Sequence, residues 1–344
     1  MKVLKKSLSL FSLMFAASFI NAQKMETIHI VNNKEKKEVV VTVNNKPFTS
    51  LLYSDTLYKP FLYPVYAPDG AVVTRGYPMQ PRAGEPTDHP HHSGIWFNYE
   101  NVNGLDFWNN SFAIPAAKKK GYGSIKNVQV LSADHNRITY SADWIDFDKN
   151  VLLTETTSLI FEVHGHDYII DRITTLSAKQ DVAFNDAKDG LLGMRVTKEL
   201  QIPTMESKTF KDDKGIVTTV KAVKDPSING TYITSEGKEG DNAWATRGNW
   251  CLLYGRKQND MISIAMIDHP KNIGYPTYWH ARGYGLFAAN PLGQKIFSNG
   301  KEELNFHLAK GNTATFRYRI VIASGKDRLS NEAINKLAAA FAKD

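Results

Sequence analysis

Three of the chain's ten histidines, His89, His91 and His92, lie within four positions of each other. Histidine can take up or release a proton near neutral pH, so a cluster of imidazoles is typical of a site for proton transfer. If this segment is extended, His89 and His91 lie on one face and His92 lies on the other. Two imidazoles on one face could act as a base and its orienting partner, or they could hold a metal ion.

A second stretch with suitable side chains runs from Tyr278 to Gly285 and follows the triplet Asp268-His269-Pro270. In an extended segment, Tyr278, His280, Arg282 and Tyr284 share a face. The last three supply a base, a cation that pairs with carboxylate or sulfate, and a phenol that can act as an acid. We predict that this stretch, its preceding triplet and the histidine cluster line one pocket.

These residues and the polar or aromatic side chains near them receive predicted roles. The predicted catalytic residues are His91, His92, His280, Arg282 and Tyr284. The predicted substrate-binding residues are Arg75, Arg82, Asp88, His89, Trp96, Asn98, Arg195, Asp268, His269 and Trp279. The tryptophans offer flat apolar surfaces of the kind on which sugar rings pack.

A divalent metal ion is the open alternative at the histidine cluster. His89 and His91 could supply two ligands, and Asp88, His269 or His280 would have to complete the shell from elsewhere in the fold. Several arginines are available to stabilise negative charge in place of a metal ion. We therefore favour chemistry without a cofactor over a divalent metal at His89 and His91.

The elements that must position these side chains are short β-branched runs separated by polar turns, such as Glu38 to Val43 and Ile138 to Trp144. Such runs predict antiparallel strands. One apolar-periodic helix is predicted at the C terminus, with Ser330 as its N-cap. We predict an all-β fold, a large antiparallel β-sandwich of the supersandwich type with one C-terminal helix, as a single domain over residues 23–344. Pro203 to Ala243 is polar and is predicted to cross the surface or the pocket mouth.

Composition and the N terminus restrict the class of function. Residues 1–22 combine a basic start with an apolar run, which predicts an export signal and a periplasmic or secreted protein. Loss of the three lysines in this signal would lower the formal net charge from +7 to +4, and no basic stripe predicts a nucleic-acid partner. The single cysteine, Cys251, excludes an internal disulfide. No later apolar run reaches the ~18 residues of a membrane span.

Several stretches carry a resemblance to a known family. They are Asp88 to Gly94, Gly190 to Val196, Asp268 to Pro270, Trp279 to Arg282, Tyr284 to Gly293 and Phe316 to Ile322. Together they resemble the family labelled methane oxygenase PmoA-like, over nearly the whole chain after residue 22. The resemblance implies an exported β-sandwich found beside polysaccharide-degrading enzymes of Bacteroidetes-type bacteria. It also implies a branch linked to water elimination from uronate-containing oligosaccharides.

The predicted function combines this resemblance with the His, Arg and Tyr content. The main hypothesis is a carbon–oxygen lyase, a dehydratase that removes water from acidic, uronate-containing and possibly sulfated oligosaccharides. Elimination beside a carboxylate needs a base, a cation for the enolate-like charge and an acid for the leaving hydroxyl. The alternatives are a carbohydrate-binding protein without catalysis, and a sugar epimerase or mutarotase that uses the same acid and base without a change of mass.

Overall fold

A computed structural model describes residues 27–165, 167–204, 206–211, 214–222 and 224–344. Two eight-stranded antiparallel sheets make up most of the molecule, and one regular helix closes the chain, which confirms the predicted all-β class. The predicted export signal, residues 1–22, lies outside the described residues. Within the described ranges, no helix has the length and apolar character needed to cross a membrane.

The strands are numbered in chain order. They are β1 (Ile28–Asn33), β2 (Glu38–Val43), β3 (Lys46–Leu52), β4 (Phe61–Val65), β5 (Ile95–Tyr99), β6 (Ser124–Asp134), β7 (Arg137–Ile145), β8 (Val151–His164), β9 (Asp167–Ala178), β10 (Val182–Phe184), β11 (Gly190–Arg195), β12 (Lys208–Lys211), β13 (Val217–Val220), β14 (Thr231–Thr234), β15 (Trp250–Lys257), β16 (Asp260–Asp268), β17 (Tyr278–Arg282), β18 (Leu286–Asn290), β19 (Phe306–Leu308) and β20 (Thr313–Gly325). The helices are α1 (Gln294–Phe297) and α2 (Asn331–Phe341), with three short 3-10 turns at Ala116–Gly121, Lys198–Leu200 and Gly240–Ala243.

The first sheet has the order β1-β2-β3-β4-β5-β11-β18-β17, and the second has the order β14-β15-β16-β20-β9-β8-β7-β6. Two short pairs, β10 with β19 and β12 with β13, lie outside these sheets. The β12–β13 hairpin and β14 fall inside the polar segment Pro203 to Ala243, for which the sequence predicted only a crossing of the surface. Polar strands such as β12 lack the apolar alternation from which strands are predicted.

The two sheets pack face to face because their strands alternate apolar and polar residues. In β7, Ile138, Tyr140 and Trp144 are buried while their neighbours are partly exposed. Across the interface, the ring of Phe48 lies 4.6 Å from that of Tyr168, and Phe97 lies 6.1 Å from Phe316, measured between centroids. Burial of these large apolar side chains is the main term that holds the sandwich together.

The middle of the first sheet is buried on both faces. Every residue of β5, β11 and β18 is buried. The outer face carries a second apolar cluster that includes Trp96, Trp108, Val220 and Tyr284, contributed partly by loops that cross over the sheet. These loops and the strands beneath them form the candidate site.

The predicted C-terminal helix is present as α2. The side chain of Ser330 accepts a hydrogen bond of 3.1 Å from the Ala333 amide, as expected of an N-cap. Ile334 and Phe341 are buried against the second sheet in a cluster with Trp250. Helix α1 was not predicted, because a single turn is too short to show helical periodicity.

Candidate functional site

The carboxylate of Asp88 is the buried anchor of the histidine loop. Arg195 Nη2 donates to its two oxygens at 2.8 and 3.1 Å, and Arg75 Nη1 lies 3.4 Å away. Burial alone would raise the pKa of Asp88, but Arg195, the hydrogen bond from His89 and Arg75 together hold it far below its usual range. Asp88 is therefore a permanent charge and not a proton donor.

Arg75 and Arg195 lie behind the histidine loop and give it its shape. Arg75 donates to the backbone carbonyls of Asp88, His89 and His92 at 2.8, 2.9 and 3.2 Å. Burial, followed by the charge of Arg195, lowers the pKa of Arg75 to about 9. The sequence proposed both guanidiniums for substrate binding, but neither lines the cavity described below.

The surroundings of His89 determine both its backbone conformation and its tautomer. Its φ of +43° is in the left-handed region, which a histidine adopts only when its surroundings hold it there. Its Nδ1 lies 2.5 Å from Asp88 Oδ1, and an ionised carboxylate can only accept, so Nδ1–H donates. Burial, with help from Arg195, lowers the pKa of His89 to about 4. Near neutral pH its Nε2 is therefore a proton acceptor.

Four rings stack in a column that includes His89. The rings of Tyr284 and His89 are 5.3 Å apart and nearly parallel, those of His89 and His92 are 4.7 Å apart, and those of His92 and Trp96 are 5.2 Å apart. Arg195 donates to His92 Nδ1 at 3.1 Å and places its guanidinium 4.7 Å from the centre of the Tyr284 ring. We call Tyr284, His89, His92 and Trp96 the ring column.

The prediction that His89 and His91 share a face and that His92 points away is wrong. The segment is a turn and not a strand, because the His92 amide donates to the His89 carbonyl at 2.9 Å. His89 consequently stacks on His92, and His91 stands at 79° to both rings. All three imidazoles still line the same cavity.

His91 has one ring nitrogen that is left without a hydrogen bond in the described part of the chain. Its Nε2 is buried and has no hydrogen-bond partner among the described residues. Burial, then the charges of His89 and Lys59, holds the pKa of His91 well below its usual value. For the metal alternative, the part of the chain that the structure describes holds no group of three or more His, Cys, Asp or Glu side chains arranged as ligands.

Strand β17 brings the second stretch to the same cavity. His280 and Arg282 point outward, as alternation predicts, and Tyr284 follows in the turn after the strand. Burial raises the pKa of Tyr284 to about 12, so it stays a hydrogen-bond donor. Trp279 points the opposite way into the sandwich core, where it packs 6.2 Å from Phe287. It cannot form the sugar platform that the sequence suggested.

The ion pair of Lys188 and Asp189, directly before β11, also lines the cavity. Lys188 Nζ lies 3.4 Å from Asp189 Oδ2, and His280 Nδ1 lies 3.4 Å from Asp189 Oδ1. The charge of Asp189 is the main reason that the pKa of Lys188 is raised. Burial, then Lys188 and Arg282, holds the pKa of His280 well below its usual value.

The cavity enclosed by these elements has a volume of about 240 Å³. Its apolar wall comes from Ile114 and from Phe210 and Val217 of the β12–β13 hairpin. Its polar groups come from the histidine loop, Lys188, Asp189 and β17, with Asn109, Ser111, Lys211 and Thr218 beside them. Apolar faces with a few convergent polar groups are the usual composition of a small-molecule site.

Four further predicted site residues lie away from this cavity and have contacts of their own. Asp268 accepts from the Thr277 amide at 2.8 Å and from Asn272 at 2.7 Å, and so it anchors a loop. His269 packs 4.9 Å from the ring of Phe341 in α2. Arg82 pairs with Glu85 at 3.2 Å, and Asn98 donates to the Phe107 carbonyl at 2.6 Å. The two Asp-His-Pro triplets therefore lie in different parts of the fold: the first is in the histidine loop, and the second is in a loop that packs against α2.

Sequence reasoning missed Lys188, Asp189, Phe210 and Lys211. The first two form a charged pair directly before β11, whose residues are apolar from Gly190 to Met194, and that abrupt change of polarity was the available signal. The other two belong to the β12–β13 hairpin, whose placement over the cavity depends on tertiary packing.

The comparison with sequence families gives one result. Residues 38–339 match the profile described as "Family of unknown function (DUF6807)". This match corrects the resemblance to a PmoA-like family, because the matching profile carries a different description and no activity. No curated protein matches the sequence.

Several solved structures are similar in fold. The GalM/aldose epimerase homologue from C. elegans is 9% identical, with a TM-score of 0.35, over 88% of this chain and 99% of that one. A putative aldose 1-epimerase from Escherichia coli K12 is 10% identical, with a TM-score of 0.32, over 88% and 100%. The galactosidase domain of an alpha-galactosidase-sucrose kinase is 10% identical, with a TM-score of 0.40, over 88% of this chain and 42% of that one. Similarity at this level concerns the fold alone.

The expectation of a carbon–oxygen lyase is corrected on one point: the solved structures of similar fold give it no support. Two of the three are named as an aldose epimerase or its homologue, and the third is named as a galactosidase domain.

Proposed function

This chain belongs to the DUF6807 family, whose function is unknown, and from the geometry of its site we propose that it is an aldose mutarotase. In this proposal it interconverts the two anomers of an acidic sugar by proton transfer. The observation that carries the proposal is the pair Asp88 and His89: Asp88 holds Nδ1–H and so leaves Nε2 without a proton, and the His89 ring lines a cavity that is also lined by Lys188. Anomer interconversion needs only a base and an acid in one small site.

His89 serves as the base. Because Nδ1–H is bound to Asp88, the lone pair available for proton transfer is on Nε2, and the Asp88 carboxylate stabilises the imidazolium that forms. The base takes the proton from the anomeric hydroxyl. The electrons of that O–H bond form the C1=O1 double bond as the bond from C1 to the ring oxygen breaks.

Lys188 serves as the acid. Its ammonium gives a proton to the ring oxygen as that oxygen leaves C1, which yields the open-chain aldehyde. Rotation about the C1–C2 bond then exposes the other face of the carbonyl. Closure reverses both transfers: the Lys188 amine takes back the hydroxyl proton, the oxygen attacks C1, and the His89 imidazolium returns its proton to O1. No atom is gained or lost.

An acidic sugar is supported by the cations of the cavity. Arg282 lines it and makes no ion pair with any residue in the described ranges, since its guanidinium lies 5.2 Å from the Phe210 ring and 5.1 Å from the Trp244 ring. A guanidinium held by aromatic faces keeps its N–H groups for a carboxylate ligand. Lys211 adds a second positive charge to the rim.

The test is the rate of anomer exchange. Freshly dissolved α anomers of glucose, galactose, glucuronic acid and galacturonic acid are followed by proton NMR with and without the protein. We expect acceleration over buffer with at least one uronic acid. His89→Asn, which the left-handed backbone tolerates, should lower kcat by roughly 100-fold or more.

The matched control is His307→Asn, which changes an exposed histidine in β19 and should keep the wild-type rate. Binding of a sugar without any acceleration of exchange would overturn the proposal in favour of a carbohydrate-binding protein. Equal rates for wild type and His89→Asn would overturn the assignment of the base.

A further inference from the structure

A second cavity of about 250 Å³ adjoins the first. Pro90, His91 and Ser111 line both cavities, so the two are separated only by the tip of the histidine loop and one residue of the segment that follows β5. The proposed anomer exchange assigns no role to a side chain that lines this second cavity.

The walls of the second cavity combine apolar surface with unused polar groups. Phe112 and Met79 stand at its mouth with 63% and 40% of their surfaces exposed. Two apolar side chains exposed beside the same cleft offer a ligand an apolar surface to pack against. An aromatic ring at the mouth offers a flat face to a sugar ring.

The polar groups of this cavity have free hydrogen-bonding capacity. Ser93 and Ser111 are buried residues, and no hydrogen bond from either hydroxyl to another described residue is present. Lys59 is also buried and donates a single hydrogen bond within the described residues, to the His91 carbonyl at 2.7 Å. Hydroxyl and ammonium groups with unused hydrogen-bonding capacity can bind the hydroxyls of a sugar.

We propose that the second cavity is a subsite for the next sugar ring of an oligosaccharide whose reducing end occupies the first cavity. This inference rests on the proposed function and names its substrate class. Each cavity alone is smaller than the ~300 Å³ at which small-molecule sites begin, whereas both together fall within the usual range. The glycosidic link would cross the shared wall beside His91 and Ser111.

Binding measurements test this subsite separately from turnover. Calorimetry compares galacturonic acid with digalacturonic acid, and glucose with cellobiose. We expect at least one disaccharide to bind roughly 10-fold more tightly than its monosaccharide, which is about 1.4 kcal/mol. Phe112→Ala should reduce that ratio toward one, because the ring at the mouth contacts only the second sugar.

The matched control is Phe147→Ala, which removes a similarly exposed phenylalanine from the turn between β7 and β8 and should keep the wild-type ratio. Equal affinity for the disaccharides and their monosaccharides, or an unchanged ratio in Phe112→Ala, overturns the subsite. Tight disaccharide binding without anomer exchange keeps the subsite and overturns only the mutarotase.

Discussion

Asp88 shows how much of the site depends on one side chain. It receives hydrogen bonds from Arg195 and His89 and an ion pair from Arg75, all of them buried. Taking charges out of water is costly, and only their mutual attraction offsets that cost. The loop that carries three imidazoles therefore keeps its shape through this carboxylate together with the two guanidiniums with which it pairs.

Replacing Asp88 should show this dependence directly. Asp88→Ala leaves two buried guanidiniums without their partner, and we expect the free energy of unfolding to fall by about 3–5 kcal/mol. Urea titration followed by fluorescence measures it. Asp55→Ala, which breaks the exposed ion pair with Lys37, should change the stability little. Similar losses in the two variants would contradict the buried network.

At the scale of residues, the sequence showed which two stretches contribute to the site better than it showed the role of each residue. The histidine cluster and the second stretch were found because their side-chain types are rare together, and both reach the cavity. Arg75 and Arg195 were assigned to substrate because nothing in a sequence shows which carboxylate a guanidinium will meet. Lys188 and Asp189 were missed because two adjacent charged residues in a sequence usually indicate a solvated surface.

Strand β11 leaves room for the ring column because Gly193 has no side chain. A Cβ added to Gly193 would lie 2.6 Å from Trp108 Cη2 and 2.7 Å from the Trp96 ring. Both indoles are fully buried against this strand. The glycine is thus required by close packing and not by an unusual φ.

Gly193→Ala should push these indoles outward. We expect a loss of about 1–3 kcal/mol in unfolding free energy, typical of an overpacked core, and a weaker response to sugar in calorimetry because Trp96 carries the ring column. Gly325→Ala at the end of β20, where nothing lies within 4 Å, is the control and should be near neutral. Unchanged stability in Gly193→Ala would show that the indoles can move freely.

At the scale of elements, prediction succeeded where the pattern was regular. The alternation in β7 and the periodicity in α2 are local consequences of burial on one face, so they are visible in sequence. The expectation that His89 and His91 share a face assumed an extended segment, and it was wrong because the φ of +43° at His89 depends on Arg75 and Asp88, which meet only in the folded chain. Tertiary contacts decided that segment.

At the scale of the whole molecule, a lower pH should reduce the stability of the fold through its buried imidazoles. Burial lowers the pKa of His89, His91, His92 and His280. Between about pH 6.5 and pH 4 the unfolded chain therefore binds more protons at these groups than the folded chain does, and stability falls as the pH falls. Asp268, whose pKa burial raises to about 7, acts in the opposite direction.

The contribution of His89 to this loss of stability can be measured separately with one variant. With a folded pKa of about 4, His89 should account for roughly 2–3 kcal/mol of the stability lost between about pH 7.5 and pH 4.5. Urea unfolding of His89→Asn should show a correspondingly smaller loss than wild type, and His307→Asn should match wild type. An equal loss in all three proteins would contradict the low pKa of His89.

The ring column also makes the empty and occupied site distinguishable by magnetic resonance. The imidazole of His89 lies between the parallel rings of Tyr284 and His92. Ring currents from both neighbours shield its carbon-bound protons, so their signals should appear upfield of those of an exposed imidazole such as that of His135. A ligand that displaces Tyr284 from the stack would return those signals downfield, which gives a direct reporter of occupancy that needs neither turnover nor a labelled sugar.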